Sequence, residues 1–180
     1  MAEVAPTGGG IFVWRDFFTP EECDAHISQA EFMGFEPAPP MAREDQHRNN
    51  ERIKFSNHSL STDLLTRLGG MTPVELSSVD EQFRYYRYNV GHYISAHGDQ
   101  RLQRGDESRL YSFVVYLNEG FTGGITRFHT NAEPIDVVPM TGQLLIFENP
   151  LRHESTPVLS GTKYVFRGDL WVKSPLAIAA

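Results

Sequence analysis

Cysteine is nearly absent from this sequence. Cys23 stands alone, and one thiol cannot close an intramolecular disulfide, so the chain suits a reducing, cytoplasmic compartment. Cys23 falls in an expected helix away from every motif below and reads as a small core hydrophobe. Basic runs are missing too. Lys and Arg number 16 against 23 Asp and Glu, a formal charge of −7, which argues against nucleic acid held by bulk electrostatics. No apolar run approaches the roughly 20 residues that span a bilayer. No basic segment leads into an apolar one at the start, so neither a signal peptide nor a membrane association is expected. Internal repeats and low-complexity tracts are also lacking.

Aromatic residues are plentiful: 12 Phe, 7 Tyr and 2 Trp in 180 residues. That composition favours strands and a lined pocket over a helical bundle, and the length suits one domain with a sizeable core. Residues 1–10 end in Gly8-Gly9-Gly10 and read as a flexible lead-in, and 174–180 as a tail. Between them, 11–80 reads as a helical support and 81–173 as a strand-built core. A short strand is expected over 11–18. Thr19-Pro20-Glu21-Glu22 then starts a helix, with Thr19 as cap, Pro20 at the first helical position and Glu22 closing a capping box. That helix should stop near Gly34. A second fits 61–68, ended by Gly69-Gly70. The densely polar stretch 43–52 reads as a solvated loop or a flap near a pocket.

From residue 81 onward, eight short strands are separated by turn residues with no intervening helix. They are expected over 82–89, 92–98, 110–117, 126–129, 135–138, 143–147, 154–158 and 163–172. The fold class is therefore α+β, mainly β: a jelly roll, or double-stranded β-helix, with the early helices packed on one sheet.

Within the strand block, His97-Gly98-Asp99 places an imidazole and a carboxylate on the same side of an extended chain. One more histidine would complete the two-His-one-carboxylate set associated with non-haem Fe(II) oxygenases. His26, His47 and His58 lie outside the strand block, and His92 sits at an odd offset from His97. His153 and His129 remain, and a jelly roll naturally returns a late strand such as that of His153 beside an early one. Lys163 opens the run KYVFRGDLWV, where residues 163, 165, 167 and 169 share one face. If His153 lines the pocket, an inward Lys163 is a buried ammonium that requires an anionic partner, and the distal carboxylate of 2-oxoglutarate would serve. Arg167 shares that face and either competes for the carboxylate or pairs with Asp169.

Together these pieces resemble a known family. RYYRYNVGHYISAHGD, YLNEGFTGGITRF, VPMTGQLLIF and HESTPVLSGTKYVFRGDLWV follow in order, and RNNER at 48–52 precedes them. They resemble the catalytic domain of prolyl 4-hydroxylases, within the Fe(II)/2-oxoglutarate-dependent dioxygenases, and five ordered motifs are far more specific than one. The resemblance implies that His97, Asp99 and His153 ligate iron. It implies that Lys163 binds the 2-oxoglutarate carboxylate with Tyr88 as hydroxyl partner, and that Tyr116 and Ser112 face the cosubstrate. The implied reaction consumes O2 and 2-oxoglutarate, releases succinate and CO2 and hydroxylates an unactivated C–H bond, with ascorbate as reductant. The substrate is a prolyl residue of a peptide or protein, or a free amino acid or small metabolite, with Arg52, Arg127 and Arg167 as contact candidates. Two other classes stand beside it: a metal-binding cupin that does not use 2-oxoglutarate and takes His129 as ligand, and a binding module without turnover.

Overall fold

The structure is a computed structural model and describes residues 3–4, 10–41 and 43–173. In chain order the first half runs β1 (Glu3–Val4), β2 (Ile11–Trp14), α1 (Pro20–Met33), β3 (Glu36–Pro37), β4 (Glu51–Ser56), α2 (His58–Leu68), β5 (Leu76–Val79) and β6 (Gln82–Tyr88). There follow β7 (Ile94–His97), β8 (Leu102–Arg104), β9 (Glu107–Tyr116), β10 (Thr122–Gly123), β11 (Thr126–Phe128) and β12 (Ile135–Val137). The chain closes with β13 (Leu144–Glu148), β14 (His153–Ser155), β15 (Val158–Ser160) and β16 (Lys163–Lys173).

A large sheet carries the order β1-β2-β13-β9-β16-β6-β4-β3, with β5 pairing β16 and β8 pairing β9. A smaller one, β12-β11-β14-β7, belongs to the facing layer, and β10 and β15 form a two-stranded ribbon. This is the expected jelly roll. Each strand of the large sheet has one face toward the helices and one toward the cavity, because successive side chains alternate.

The helix-side face is an aromatic layer centred on Phe166 of β16. His26, Phe83, Tyr85, Phe113 and Phe18 lie with ring centroids 5.1, 5.3, 5.5, 5.7 and 6.1 Å from it. Such offset and tilted pairs add to the burial of large apolar area. α1 covers this layer through Cys23 and Ala30, both fully buried. It begins as its sequence dictates: Thr19 Oγ1 accepts from Glu22 N at 3.2 Å, and Glu22 Oε2 accepts from Thr19 N at 2.7 Å. α2 presents Leu64 and Leu68 to the same core.

Three sequence expectations change. α2 starts at His58 rather than 61, because the Asn57 side chain caps it by accepting from Leu60 N at 3.0 Å. The polar stretch 43–52 runs into strand β4, which pairs with β6 and lays Ile53 against the aromatic layer. The lead-in 1–10 adds Glu3–Val4 to the sheet beside β2, and Gly10 O accepts from Glu148 N at 2.9 Å. The expected tail 174–180 lies outside the described residues. Among the described residues no helix is long and apolar enough to cross a membrane.

Support and core are tied at Gly142, whose carbonyl accepts from both Phe17 N (2.9 Å) and Phe18 N (3.1 Å). Its φ of +74° is a left-handed conformation, and a Cβ there would collide with the Phe18 carbonyl. Gly142→Ala should therefore destabilise the protein by more than the ~1–2 kcal/mol that left-handed backbone alone costs a side chain. Urea unfolding measures this; a smaller loss would show that the Phe17–Phe18 junction gives way freely.

Candidate metal centre

β7 and β14 run antiparallel, and their register sets the Cα atoms of His97 and His153 opposite each other. The rings lie 4.4 Å apart, centroid to centroid. Each histidine fixes its own tautomer on the strand that carries it. His97 Nδ1 donates to Ser95 O at 2.8 Å and His153 Nδ1 to Leu151 O at 2.9 Å. A carbonyl can only accept, so the proton sits on Nδ1 and the Nε2 lone pair is left for a ligand bond.

Asp99 arrives two residues after His97. Its Oδ1 is 3.9 Å from His97 Nε2 and its Oδ2 is 4.0 Å from His153 Nε2. The three potential ligand atoms all lie within 4.8 Å of one another. Gly98 makes that short return possible, since a Cβ on it would stand 2.8 Å from the Pro150 carbonyl oxygen.

The two oxygens of Asp99 have different surroundings. Oδ2 accepts from Arg167 Nη2 at 2.5 Å and from Ser112 Oγ at 2.7 Å. Among the described residues no hydrogen bond reaches Oδ1. Burial pushes the Asp99 carboxyl up, but Arg167 and the neighbouring donors outweigh it and hold it well below the usual carboxylate range. Burial also lowers His153 to about 4 and lowers His97. At neutral pH the cluster is therefore one carboxylate and two neutral imidazoles. With Oδ1 and both Nε2 atoms directed at one spot, the donor set fits a divalent metal of the non-haem iron type.

Lys163 enters from β16 of the large sheet and is 1% exposed. Its Nζ donates to Gly124 O at 2.6 Å and to Ser155 Oγ at 3.1 Å, both neutral. The rings of Tyr88 and Tyr116 flank it, at 5.0 and 5.4 Å from Nζ to centroid. With no carboxylate beside it, burial lowers its pKa to about 7. A cavity of about 420 Å³ is lined by the histidines, Asp99 and Lys163 together.

The polar segment before β4 is stitched to the ligand strand. Ser95 N donates to His47 O at 2.8 Å, His47 N to Ser95 Oγ at 2.7 Å, and Tyr93 N to Asn49 Oδ1 at 2.8 Å. This places Pro40, Met41, Gln46 and Arg48 on the cavity wall.

The structure gathers His97, Asp99, His153, Lys163, Tyr88, Tyr116 and Arg167 around that cavity. Ser112 departs from expectation. Its one hydroxyl proton goes to Asp99 Oδ2, the nearest of three oxygens around it, rather than turning toward Lys163, so it steadies the carboxylate instead of a cosubstrate. Tyr116 spends its hydroxyl on Thr126 Oγ1 at 2.7 Å. Arg127 lies outside the cavity: Thr126 and Phe128 turn inward, leaving it to pair with Asp136 at 2.7 Å. Arg52 shares the inner face of the large sheet through its register with Tyr86, though it is not among the residues lining the cavity. His129 pairs with Glu154 at 3.3 Å and is no part of the cluster, which removes the ligand of the cupin reading. Sequence reasoning missed Ser155, Arg84 and Arg109, and named Gly98 and Arg48 only within the motifs that hold them. Of these, Arg84 carried a signal, as an arginine inside a strand-like run.

Compared with known proteins, residues 83–172 match the 2OG-Fe(II) oxygenase superfamily. No curated protein matches the chain. Solved structures share its fold. The viral collagen prolyl hydroxylase of Paramecium bursaria Chlorella virus-1, in complex with 2OG, has TM-score 0.67 at 23% identity, covering 92% of this chain and 97% of that one. A Pseudomonas putida prolyl-4-hydroxylase has TM-score 0.67 at 21% identity, covering 92% and 93%. A Trichoplax adhaerens prolyl hydroxylase, in complex with a peptide fragment of the hypoxia inducible factor oxygen degradation domain, has TM-score 0.69 at 16% identity, covering 89% and 83%.

Ser112→Ala removes a hydrogen bond to the ligand carboxylate and should weaken Mn(II) binding about 10–100-fold, with the fold intact. His97→Ala should weaken it further. Calorimetric titration of Mn(II) into each variant checks both, and unchanged affinity in Ser112→Ala would make that hydroxyl a packing feature only.

Proposed function

The chain belongs to the 2OG-Fe(II) oxygenase superfamily, and from that premise we propose that it hydroxylates a prolyl residue of a peptide or protein. Iron is held by His97, Asp99 and His153, and the distal carboxylate of 2-oxoglutarate by Lys163. One observation carries the assignment of the cosubstrate site: a fully buried ammonium with only neutral partners, on the wall of the same cavity as the metal cluster. A buried cation without a counter-charge is costly, and an incoming carboxylate supplies one.

Ferrous iron bound there supplies the O2 chemistry that couples decarboxylation of 2-oxoglutarate to hydroxylation of a C–H bond. The remaining work belongs to the chain. Neutral His97 and His153 offer Nε2, and Asp99 offers Oδ1 while Arg167 and Ser112 keep Oδ2 fixed. Lys163 Nζ and the Tyr88 hydroxyl receive the far carboxylate, with Tyr116 and Thr126 closing the wall beside it. Phe147, Val114 and Val165 line the cavity with apolar surface that limits water near the reacting carbon. Support for a peptide comes from the neighbouring folds, which are prolyl hydroxylases, one of them in complex with a peptide fragment. The cytoplasmic setting rests on the lone, buried Cys23.

Purified protein with Fe(II), ascorbate and 2-oxoglutarate should release succinate with a proline-containing peptide, and the peptide should gain one oxygen by mass. His153→Ala should abolish both. Succinate release on free proline but on no peptide would replace the peptide reading with a small-molecule one.

The Lys163 pKa sets a pH dependence. Without 2-oxoglutarate the ammonium loses its proton near pH 7, and a bound carboxylate favours the charged form and raises that value. Binding above pH 7 must therefore take up a proton, so affinity falls as pH rises. Between pH 6 and pH 8 the dissociation constant on Mn(II)-loaded protein should increase about tenfold. In the Mn(II)-loaded protein both imidazoles are held by the metal and add no opposing change. A flat profile would remove Lys163 from the carboxylate site.

A further inference from the structure

We propose that the substrate of this centre carries an anionic group, a carboxylate or phosphate, received by Arg48, Arg84 and Arg109 beside the metal cluster. The proposal rests on the oxygenase reading above and adds the chemical class of the substrate.

The charge inventory of the cavity wall carries it. Among the described residues, five cationic side chains line the cavity, Arg48, Arg84, Arg109, Lys163 and Arg167, against two carboxylates, Asp99 and Asp169. Three positive charges are left over. Occupancy of the cofactor sites does not remove them, because a divalent cation and the dianion 2-oxoglutarate cancel. The whole chain carries −7, so this concentration runs against the sign of the molecule. A concave site lined by one sign of charge raises the local concentration of the opposite sign.

Hydrogen-bonding capacity points the same way. Asp169 is 1% exposed and already serves several donors. Its Oδ2 takes Arg84 Nη1 at 2.9 Å and Arg109 Nη1 at 3.3 Å, and its Oδ1 takes Arg167 Nη2 at 3.4 Å. It holds the arginines in place but cannot neutralise them all. Donors remain over. Arg48 uses Nε on the Pro39 carbonyl at 2.7 Å and keeps both terminal nitrogens. Among the described residues Arg84 keeps Nη2 and Nε, while Arg109, with Nη1 on Asp169 and Nη2 on the Gln100 carbonyl at 3.0 Å, contributes its charge. A guanidinium presents five N–H groups in a planar fork that matches a carboxylate or phosphate edge. Arg52 stands behind them on the same sheet face, with no side-chain hydrogen bond among the described residues. Burial lowers its pKa, and the nearby Arg48, Arg84 and Arg167 lower it further.

Three probes test the proposal on Fe(II)- and 2-oxoglutarate-loaded protein, read by mass gain on the probe. They are a proline peptide library with randomised neighbours, the same library carrying phosphoserine, and a panel of free mono- and dicarboxylic acids including N-acetylproline. Hydroxylated library members should be enriched about tenfold or more in Asp and Glu beside the modified residue. Enrichment confined to phosphoserine members assigns the anion to phosphate, and oxygen gain confined to the free acids assigns it to a small carboxylate; both uphold the class. Arg48→Gln and Arg109→Gln should each reduce the acidic preference about tenfold, whereas Arg127→Gln, outside the cavity, should leave it unchanged. Hydroxylated members unbiased or enriched in Lys and Arg would overturn the proposal. So would an absence of oxygen gain on every anionic probe while the protein still consumes 2-oxoglutarate. Failure to bind Mn(II) and 2-oxoglutarate at all would instead sink the oxygenase reading itself.

Discussion

Asp99 keeps its charge in a buried place because Arg167 stands 2.5 Å from it, and the rest of the site depends on that pair. A buried carboxylate alone would take up a proton, and a protonated acid is a poor metal ligand. Arg167 solves that problem with one nitrogen on Oδ2, leaving Oδ1 free. It can do so because β16 lies at the middle of the large sheet, where a guanidinium reaches both the His-Gly-Asp corner and Asp169 behind it. Breaking a buried pair by removing one partner leaves an uncompensated charge, so the arrangement tolerates little change.

β16 shows how one strand serves two ends. Tyr164, Phe166 and Leu170 face the helices, and Phe166 is the hub of the aromatic layer. Lys163, Val165, Arg167 and Asp169 face the cavity. Strand alternation therefore separates stability from chemistry within eleven consecutive residues. The desolvation cost of the charged face is offset partly by ion pairs and partly by the apolar layer on the other side. What stays unbalanced is the positive charge, and that excess shapes which ligands the cavity can take.

Much of this was legible in the sequence, and for a physical reason. His97-Gly98-Asp99 and the Lys163–Asp169 face obey a period of two, which depends only on the chain being extended. The capping box at Thr19 is equally local. Arg127 was misread although the same rule applies: its neighbours Thr126 and Phe128 turn inward, so it must turn out. β4 was hidden because its inward apolar residues, Ile53 and Phe55, lie among charged ones. Ser155 and Arg109 were out of reach for a different reason, and Ser112 was named for the cosubstrate rather than for Asp99. A polar side chain on a strand gives no local sign of its partner, and their partners, Lys163, Asp169 and Asp99, come from elsewhere in the chain.

The most direct test of the central claim is a crystal structure of the protein loaded with Mn(II) and 2-oxoglutarate, with anomalous scattering used to locate the metal. The predicted result is one metal peak bonded to His97 Nε2, Asp99 Oδ1 and His153 Nε2, with the far carboxylate of 2-oxoglutarate on Lys163 Nζ. A metal bound elsewhere, such as between His129 and Glu154, or a cosubstrate carboxylate away from Lys163, would contradict it.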